Sequence, residues 1–280
     1  MIAVLVVVGA LWIRPLMFGG TVGEDGFGAA PFAGRDVITW SNAGPLTGGT
    51  RQDTSNIWPP APADARAEPI GTPPPVGSSS TDYAFLASLP EIGGRPVTWD
   101  PCRPIHLVHN DAHAPAEADQ LLRQAVSSVS SATGLQFVID GSTAEMPTAK
   151  RPPLAKSRYG NRWSPVLVAW TDPSVVPELE GAVAGIAGPV SAPYYTAAQH
   201  HWVSGTVYLD GPQFRELLKR GDGGAAARAI VMHELGHLVG LNHVSARDQL
   251  MYERNIGQQD FGFGDRQGLR QLGLGPCFTS

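Results

Sequence analysis

The chain has 280 residues, of which 42% are hydrophobic and 16% charged, and its formal net charge at pH 7 is −5. This length and composition suit one medium-sized globular domain with additional segments. The mild acidity argues against a nucleic-acid partner, because nucleic-acid-binding domains carry a basic patch or stripe.

The chain begins with a continuous apolar run over residues 2–13. A run of about 12 residues fits the core of a signal peptide, whereas a membrane-spanning helix needs about 20. No basic residue precedes the run, so an uncleaved anchor, a start further upstream and a buried element are alternatives. We predict that residues 1–19 are a signal peptide or membrane anchor. The protein is then secreted, or anchored to the outer face of the cell membrane.

The next segment, residues 20–81, is rich in Gly, Pro, Ala, Ser and Thr, with proline runs at residues 59–62 and 73–75. Such sequences favour extended polyproline conformations and lack the apolar residues for a core. We predict a disordered linker over residues 20–81 and a folded domain over residues 82–280.

Periodic patterns within this domain predict alternating strands and helices. Gly134 is expected to stop the first helix, and Asp222 to cap the last one. A helix between the first strands, then more strands and a further helix, predicts an α/β (α+β) fold with a twisted mixed sheet. The predicted elements are strands at 104–110, 135–140, 166–171, 183–190 (an edge strand) and 206–210, helices at 115–133 and 225–239, and a surface loop at 150–165.

Residues 233–243 read H-E-x-x-H-x-x-G-x-x-H, an arrangement that holds one catalytic zinc ion. His233 and His237 are four residues apart and project from one face of a helix. Gly240 lets the chain leave the helix, so that His243 returns as a third ligand. Three protein ligands leave a fourth position open for water, on which Glu234 is the expected general base. The sequence therefore predicts a single Zn²⁺ site.

The other histidines are weaker candidates. His106, His109 and His113 lie on or near the first strand, and we expect them to be solvated or hydrogen-bonded rather than metal ligands. His200 and His201 lie in the loop before the strand at 206–210. Lining of the cleft is open for this pair, and we do not assign it to the metal.

The long motif, followed by Leu250-Met251-Tyr252, resembles the metzincin metallopeptidases, whose hallmark is this motif and a methionine-bearing turn. The matrixin-like branch is the most similar, since residues 206–210 resemble its last strand and residues 261–273 its closing helix. The resemblance implies an active-site helix, a small C-terminal subdomain and a zinc endopeptidase acting on proteins or peptides. It also implies a specificity pocket between the metal helix and residues 253–263.

Some positions depart from the matrixin pattern. Ala184 and Val207 stand where histidines for a second, structural zinc are expected, so we predict no such zinc. No dense run of Asp and Asn suggests a calcium loop. Tyr252 directly follows the methionine, whereas metzincins with a tyrosine ligand place it second; Glu253 occupies that position here.

The chain has two cysteines, Cys102 and Cys277, near the two ends of the predicted domain. In an exported protein an even count favours a disulfide, and two unpaired buried thiols are the alternative. We expect a monomer. A non-catalytic zinc-binding peptide-recognition protein and a surface-anchored interaction protein are the alternative functions.

Overall fold

The computed structural model describes residues 58–77, 79–89, 93–194 and 196–278, and the side chains of residues 193–199 are not among the described ones. Residues 1–19 and 20–57 of the predicted N-terminal segments therefore lie outside the described residues. None of the helices in the described ranges combines the length and the hydropathy needed to cross a membrane. The strands are β1 (Ala84–Phe85), β2 (Ser88–Leu89), β3 (Arg95–Pro96), β4 (Ile105–Asn110), β5 (Phe137–Ser142), β6 (Val166–Thr171), β7 (Gly185–Tyr194), β8 (Thr196–Asp210) and β9 (Leu241–Asn242), and the helices are α1 (Ala118–Thr133), α2 (Lys156–Tyr159), α3 (Gly211–Leu218), α4 (Gly223–Val239) and α5 (Phe263–Leu272).

A five-stranded mixed sheet forms the centre of the domain, in the order β5-β4-β6-β8-β7. The first four strands in this order are parallel, and β7 runs antiparallel to β8 at the edge. The predicted mixed α/β fold and the edge position of β7 are confirmed. Parallel neighbours require crossover connections, and α1 supplies the one between β4 and β5.

Helices α1, α4 and α5 cover one face of the sheet and enclose the main hydrophobic core. Helix α1 presents Leu121, Leu122, Ala125 and Val129 to this core at helical spacing. It ends at Gly134, whose positive φ of 76° fits the predicted helix stop. The opposite face of β4, β6 and β8 carries a smaller apolar cluster. The sheet is therefore buried on both faces, as β6 is along its whole length.

Several element boundaries differ from the prediction. Strand β8 is 15 residues long instead of five, because β7 and β8 continue as an extended hairpin beyond the sheet. Helix α3 was not predicted, and it begins at Asp210, whose carboxylate accepts a hydrogen bond from the Gln213 amide at 2.9 Å. Asp222 stands at the N-cap position of α4 but makes no capping hydrogen bond through its side chain.

The prediction of a surface loop at residues 150–165 is wrong in part. The segment contains α2, and its Arg151 and Ser164 are buried. Arg151 forms an ion pair with Glu145 at 2.9 Å and donates a hydrogen bond to Ser204 at 3.2 Å. A buried charge is tolerated only when it is paired and hydrogen-bonded, so this network fixes the segment against β8.

The structure describes residues 58–77 and 79–81 of the predicted linker, and these residues lie on the domain surface. The Arg66 amide donates a hydrogen bond to the Cys102 carbonyl at 2.8 Å, and the Ile70 amide to the Pro101 carbonyl at 2.9 Å. Arg270 of α5 donates to the Pro73 carbonyl at 3.0 Å. The segment has too few apolar residues to form a core of its own. Backbone hydrogen bonds to the domain hold it in place instead. We name residues 58–77 and 79–89 the N-terminal strap.

A disulfide joins Cys102 and Cys277, with Cα atoms 5.4 Å apart and a sequence separation of 175. The predicted pairing is confirmed, and the alternative of two free thiols is wrong. The bond ties the segment before β4 to the segment after α5, and through the Cys102 carbonyl it also supports the strap.

Limited proteolysis should yield a resistant fragment that retains residues 58–77, and not one that begins close to residue 82. The reason is that the strap amides are hydrogen-bonded to the domain, which protects backbone from proteases. N-terminal sequencing of the fragment identifies the boundary. A fragment that begins at residues 79–90 would contradict the structural role of the strap.

Replacing Cys102 and Cys277 together by Ser should lower the melting temperature by roughly 8–20 °C. The chain-entropy cost of so long a loop is about 4–5 kcal/mol, and a domain of this size loses about 2–4 °C per kcal/mol. Thermal unfolding followed by circular dichroism measures the change, with the unreduced wild type as control. An unchanged melting temperature would show that the bond constrains little.

Candidate metal centre and active site

Helix α4 places three residues of the motif at the centre of the domain. His233 and Glu234 are 1% exposed and His237 is 8% exposed, because α4 is enclosed by the sheet, α1 and α5. The helix ends at Gly240, whose φ of 120° is accessible mainly to glycine. The chain then passes through β9 and turns back, which brings His243 to the same point.

The three imidazoles converge through their Nε2 atoms. His243 Nε2 lies 3.1 Å from His233 Nε2 and 3.1 Å from His237 Nε2. The Nδ1 atom of His233 is 2.7 Å from the Leu250 carbonyl oxygen, and that of His237 is 2.9 Å from the Leu241 carbonyl oxygen. Because a carbonyl can only accept, both Nδ1 atoms carry the proton, and both Nε2 atoms present a lone pair to the centre.

This donor set fits a zinc ion. His243 Nε2 carries at most one proton, so it can donate a hydrogen bond to only one of the other two Nε2 atoms. At least one pair of nitrogen lone pairs therefore faces each other, unless a cation lies between the three rings. Burial lowers the pKa of His233 to about 3 and that of His237 to about 4, and it depresses the pKa of His243 as well. The imidazoles are therefore neutral at pH 7, the form that coordinates zinc at about 2.0–2.1 Å.

Glu234, which follows His233 in the chain, has an unsatisfied carboxyl oxygen. Its Oε1 atom is buried and has no hydrogen-bond partner among the described residues. Burial raises the pKa of Glu234 to about 8. An unpaired buried polar atom costs about 1–3 kcal/mol, which marks it as a group kept for function.

Met251 of the methionine turn packs against α4 at Gly236, which lies next to His237 in the chain. It is 1% exposed, and a Cβ atom added to Gly236 of α4 would lie 2.7 Å from its Sδ atom. Gly236 costs the helix roughly 1 kcal/mol relative to Ala, but it allows this close approach. The Val244 amide donates to the Met251 carbonyl at 3.1 Å, which joins the third ligand to the methionine turn.

Asp265 of α5 is a further site residue, which the sequence reasoning missed. Its carboxylate accepts hydrogen bonds from the amides of Leu250 at 2.5 Å, Met251 at 3.4 Å and Gly262 at 2.9 Å. Because the Leu250 carbonyl orients His233, Asp265 acts on this histidine through the methionine turn. The available signal was an acidic residue in the first turn of the closing helix.

The histidines near β4 pair with carboxylates away from this centre. His106 lies 2.7 Å from Asp140 and 3.0 Å from Asp64, as expected for hydrogen-bonded histidines. His109 and His113 pair with Asp111 at 2.7 Å and Asp172 at 3.1 Å. Within the described ranges, one other group of potential ligands occurs, Asp100 with Cys102 and Cys277, whose sulfur atoms form the disulfide.

The comparison with protein families agrees with the geometry. Residues 187–272 match the family model described as Matrixin, a stretch that runs from β7 to α5 and contains the three histidines and Met251. No curated protein matches the chain. The motif, the methionine turn and the mixed sheet are the features that the resemblance predicted, and the predicted relationship is confirmed. Over residues 187–272 the chain is therefore similar to the matrixins, which supports a metzincin, matrixin-like relationship.

Proposed function

We propose that the protein is a zinc-dependent endopeptidase that acts outside the cytoplasm, with His233, His237 and His243 as metal ligands and Glu234 as general base. One observation carries the proposal: three neutral imidazoles face one point, beside a buried carboxyl oxygen with no partner in the described part of the chain. The matrixin match supports the metallopeptidase class. The disulfide supports export, because such bonds persist in oxidising compartments.

In this proposal the chain supplies three metal ligands and a proton acceptor, in a site where His233, Glu234 and His237 are buried. When bound, zinc provides a Lewis acid that lowers the pKa of water toward about 7 and polarises a carbonyl. Glu234 takes a proton from the water that attacks the scissile carbonyl, and it then gives this proton to the leaving amine. Burial by itself raises the pKa of Glu234, and a cation held by the three imidazoles would lower it again and favour the carboxylate form that accepts the proton. The carbonyls of Leu250 and Leu241 keep the ligand imidazoles oriented throughout.

The substrate is proposed to be an extended protein or peptide segment. Strand β7 is an edge strand of the sheet, and its Gly185 lies directly beside Glu234. An extended backbone can pair with such an edge through main-chain hydrogen bonds. The specificity pocket is proposed to lie between α4 and residues 253–263. Residues 1–19 are proposed to export or anchor a monomeric domain.

Glu234→Gln should reduce hydrolysis by roughly 10²- to 10⁴-fold while one zinc per chain is retained. The amide cannot take up the proton, but it leaves the three imidazoles in place. Cleavage of a denatured protein and metal analysis by mass spectrometry measure the two effects. Removal of zinc with a chelator should abolish the wild-type activity, and added zinc should restore it.

The matched control is Glu216→Gln on α3, where the side chain is 72% exposed and pairs with Lys219. It should keep the wild-type rate. Activity close to wild type in Glu234→Gln would contradict the assigned base. Stoichiometric zinc without hydrolysis of any peptide in a complex library would favour the non-catalytic peptide-recognition alternative.

Gly185→Ala should reduce the turnover rate by roughly 10- to 100-fold without loss of zinc. A Cβ atom at this position would lie 2.8 Å from Glu234 Cγ and 3.0 Å from its Oε1, so the carboxyl group must move. A displacement of about 1 Å can cost about 100-fold. Gly224→Ala at the start of α4 is the control, since nothing lies within 4 Å of its added Cβ. Equal rates for the two variants would show that the position of Glu234 is not constrained by β7.

A further inference from the structure

Two of the three metal ligands take their orientation from backbone carbonyls. Leu250 holds His233, and Asp265 of α5 fixes Leu250 through its amide. Leu241 holds His237 in the same way, but no residue of α5 binds the Leu241 amide or carbonyl. The Leu241 peptide is held instead by the N-terminal strap, whose β1 pairs with β9.

The strap forms a two-stranded antiparallel pair with the segment between the second and third ligands. In this pair Ala84 of β1 lies opposite Asn242 of β9, and Phe85 lies opposite Leu241. The next residue, Leu86, donates its amide hydrogen to the Gly240 carbonyl at 2.9 Å. The strap thus contacts every residue of the chain between the end of α4 and His243.

The alternation of an antiparallel ladder explains how this pairing acts on His237. Leu86 and Gly240 form a hydrogen-bonded position, so the neighbouring carbonyl of Leu241 points away from the strap. That direction leads to the Nδ1 atom of His237, 2.9 Å away. A hydrogen bond to Nδ1 fixes the tautomer and the ring plane of a ligand histidine.

The strap residues that precede β1, Asp82 and Tyr83, pack closely on α5. The Tyr83 hydroxyl accepts a hydrogen bond from Gln271 at 2.6 Å. A Cβ atom added to Gly264 would lie 2.1 Å from the Asp82 carbonyl oxygen, and one added to Gly268 would lie 2.7 Å from Leu241 and 3.0 Å from Tyr83. The two glycines therefore allow the strap, β9 and α5 to approach each other within ordinary contact distance.

We propose that the strap residues Ala84–Leu86 are positioning residues of the metal centre, which hold the Leu241 carbonyl on His237 and set the course of the chain to His243. The proposal rests on the zinc site of the proposed function. It assigns the strap a role in metal affinity and ligand geometry, in addition to its packing on the domain.

The first test compares two proline variants, each of which removes one strap amide donor. Leu86→Pro removes the hydrogen bond to Gly240, and Ile70→Pro removes the one to Pro101 at the same length of 2.9 Å but beside the disulfide. Leu86→Ala is a third variant, which shortens the buried side chain but keeps the amide. Each is loaded with zinc in the full chain, and zinc release to an excess of chelator is timed below its unfolding temperature.

Leu86→Pro should release zinc about fivefold faster than Leu86→Ala and Ile70→Pro, the factor that corresponds to a typical hydrogen bond. The visible absorption of Co²⁺, loaded in place of zinc, reports ligand geometry and should change in Leu86→Pro alone. Equal release rates and equal Co²⁺ spectra for the two proline variants would overturn the proposal, because they would show only a stability role for the strap.

The second test needs no variant and decides the matter if Leu86→Pro does not fold. Coupling between sites is reciprocal, so zinc bound at the histidines must stabilise the strap if the strap stabilises the zinc. Amide hydrogen exchange of the wild-type chain, with and without one equivalent of zinc chloride, should slow more at residues 82–89 than at residues 64–72. If zinc binds and residues 82–89 show no greater slowing, the proposal is overturned and the zinc site stands. If the wild type binds no zinc, the proposed function fails, and this proposal fails with it.

Discussion

The convergence of three uncharged imidazole nitrogens on one buried point is the constraint on which the rest of the structure depends. Lone pairs that face each other at 3.1 Å repel unless a cation separates them, and burial prevents the rings from becoming charged. The surrounding protein must therefore hold the rings in place. The burial of α4 from Ala229 to Val239, the turn at Gly240 and the packing of Met251 against Gly236 are the means by which it does so.

The orientation of the rings depends on two backbone carbonyls in different parts of the domain. Leu250 belongs to the methionine turn, which Asp265 binds through two amides. Leu241 belongs to β9, which pairs with β1 of the strap. Both routes meet at α5, since it carries Asp265 and also packs against Tyr83. Helix α5 thus supports both His233 and His237 of α4. The disulfide ties the segment after α5 to the segment before β4.

Close approach of backbone and side chain explains the glycines around the site better than turn formation does. Gly185 leaves room for the Glu234 carboxyl group, and Gly236 leaves room for the Met251 sulfur. Of the glycines next to the site, Gly240 has a positive φ that a turn requires. In the other two cases any Cβ would occupy the space of a functional group, so the requirement becomes visible only when distant segments are placed together.

The sequence by itself determined the motif-bearing helix, the three histidines and the order of the main elements, because these follow from local spacing and periodicity. The methionine turn was implied by the resemblance to the metzincins. It also predicted the pairing of Cys102 with Cys277 from their number and position. The length of β8, the burial of Arg151 and the role of Asp265 were decided by tertiary structure, since each depends on partners far away in the sequence. The strap shows this difference most clearly. Its proline-rich composition predicted disorder, but its amides bind the domain surface, and such hydrogen bonds leave no periodic pattern in the chain.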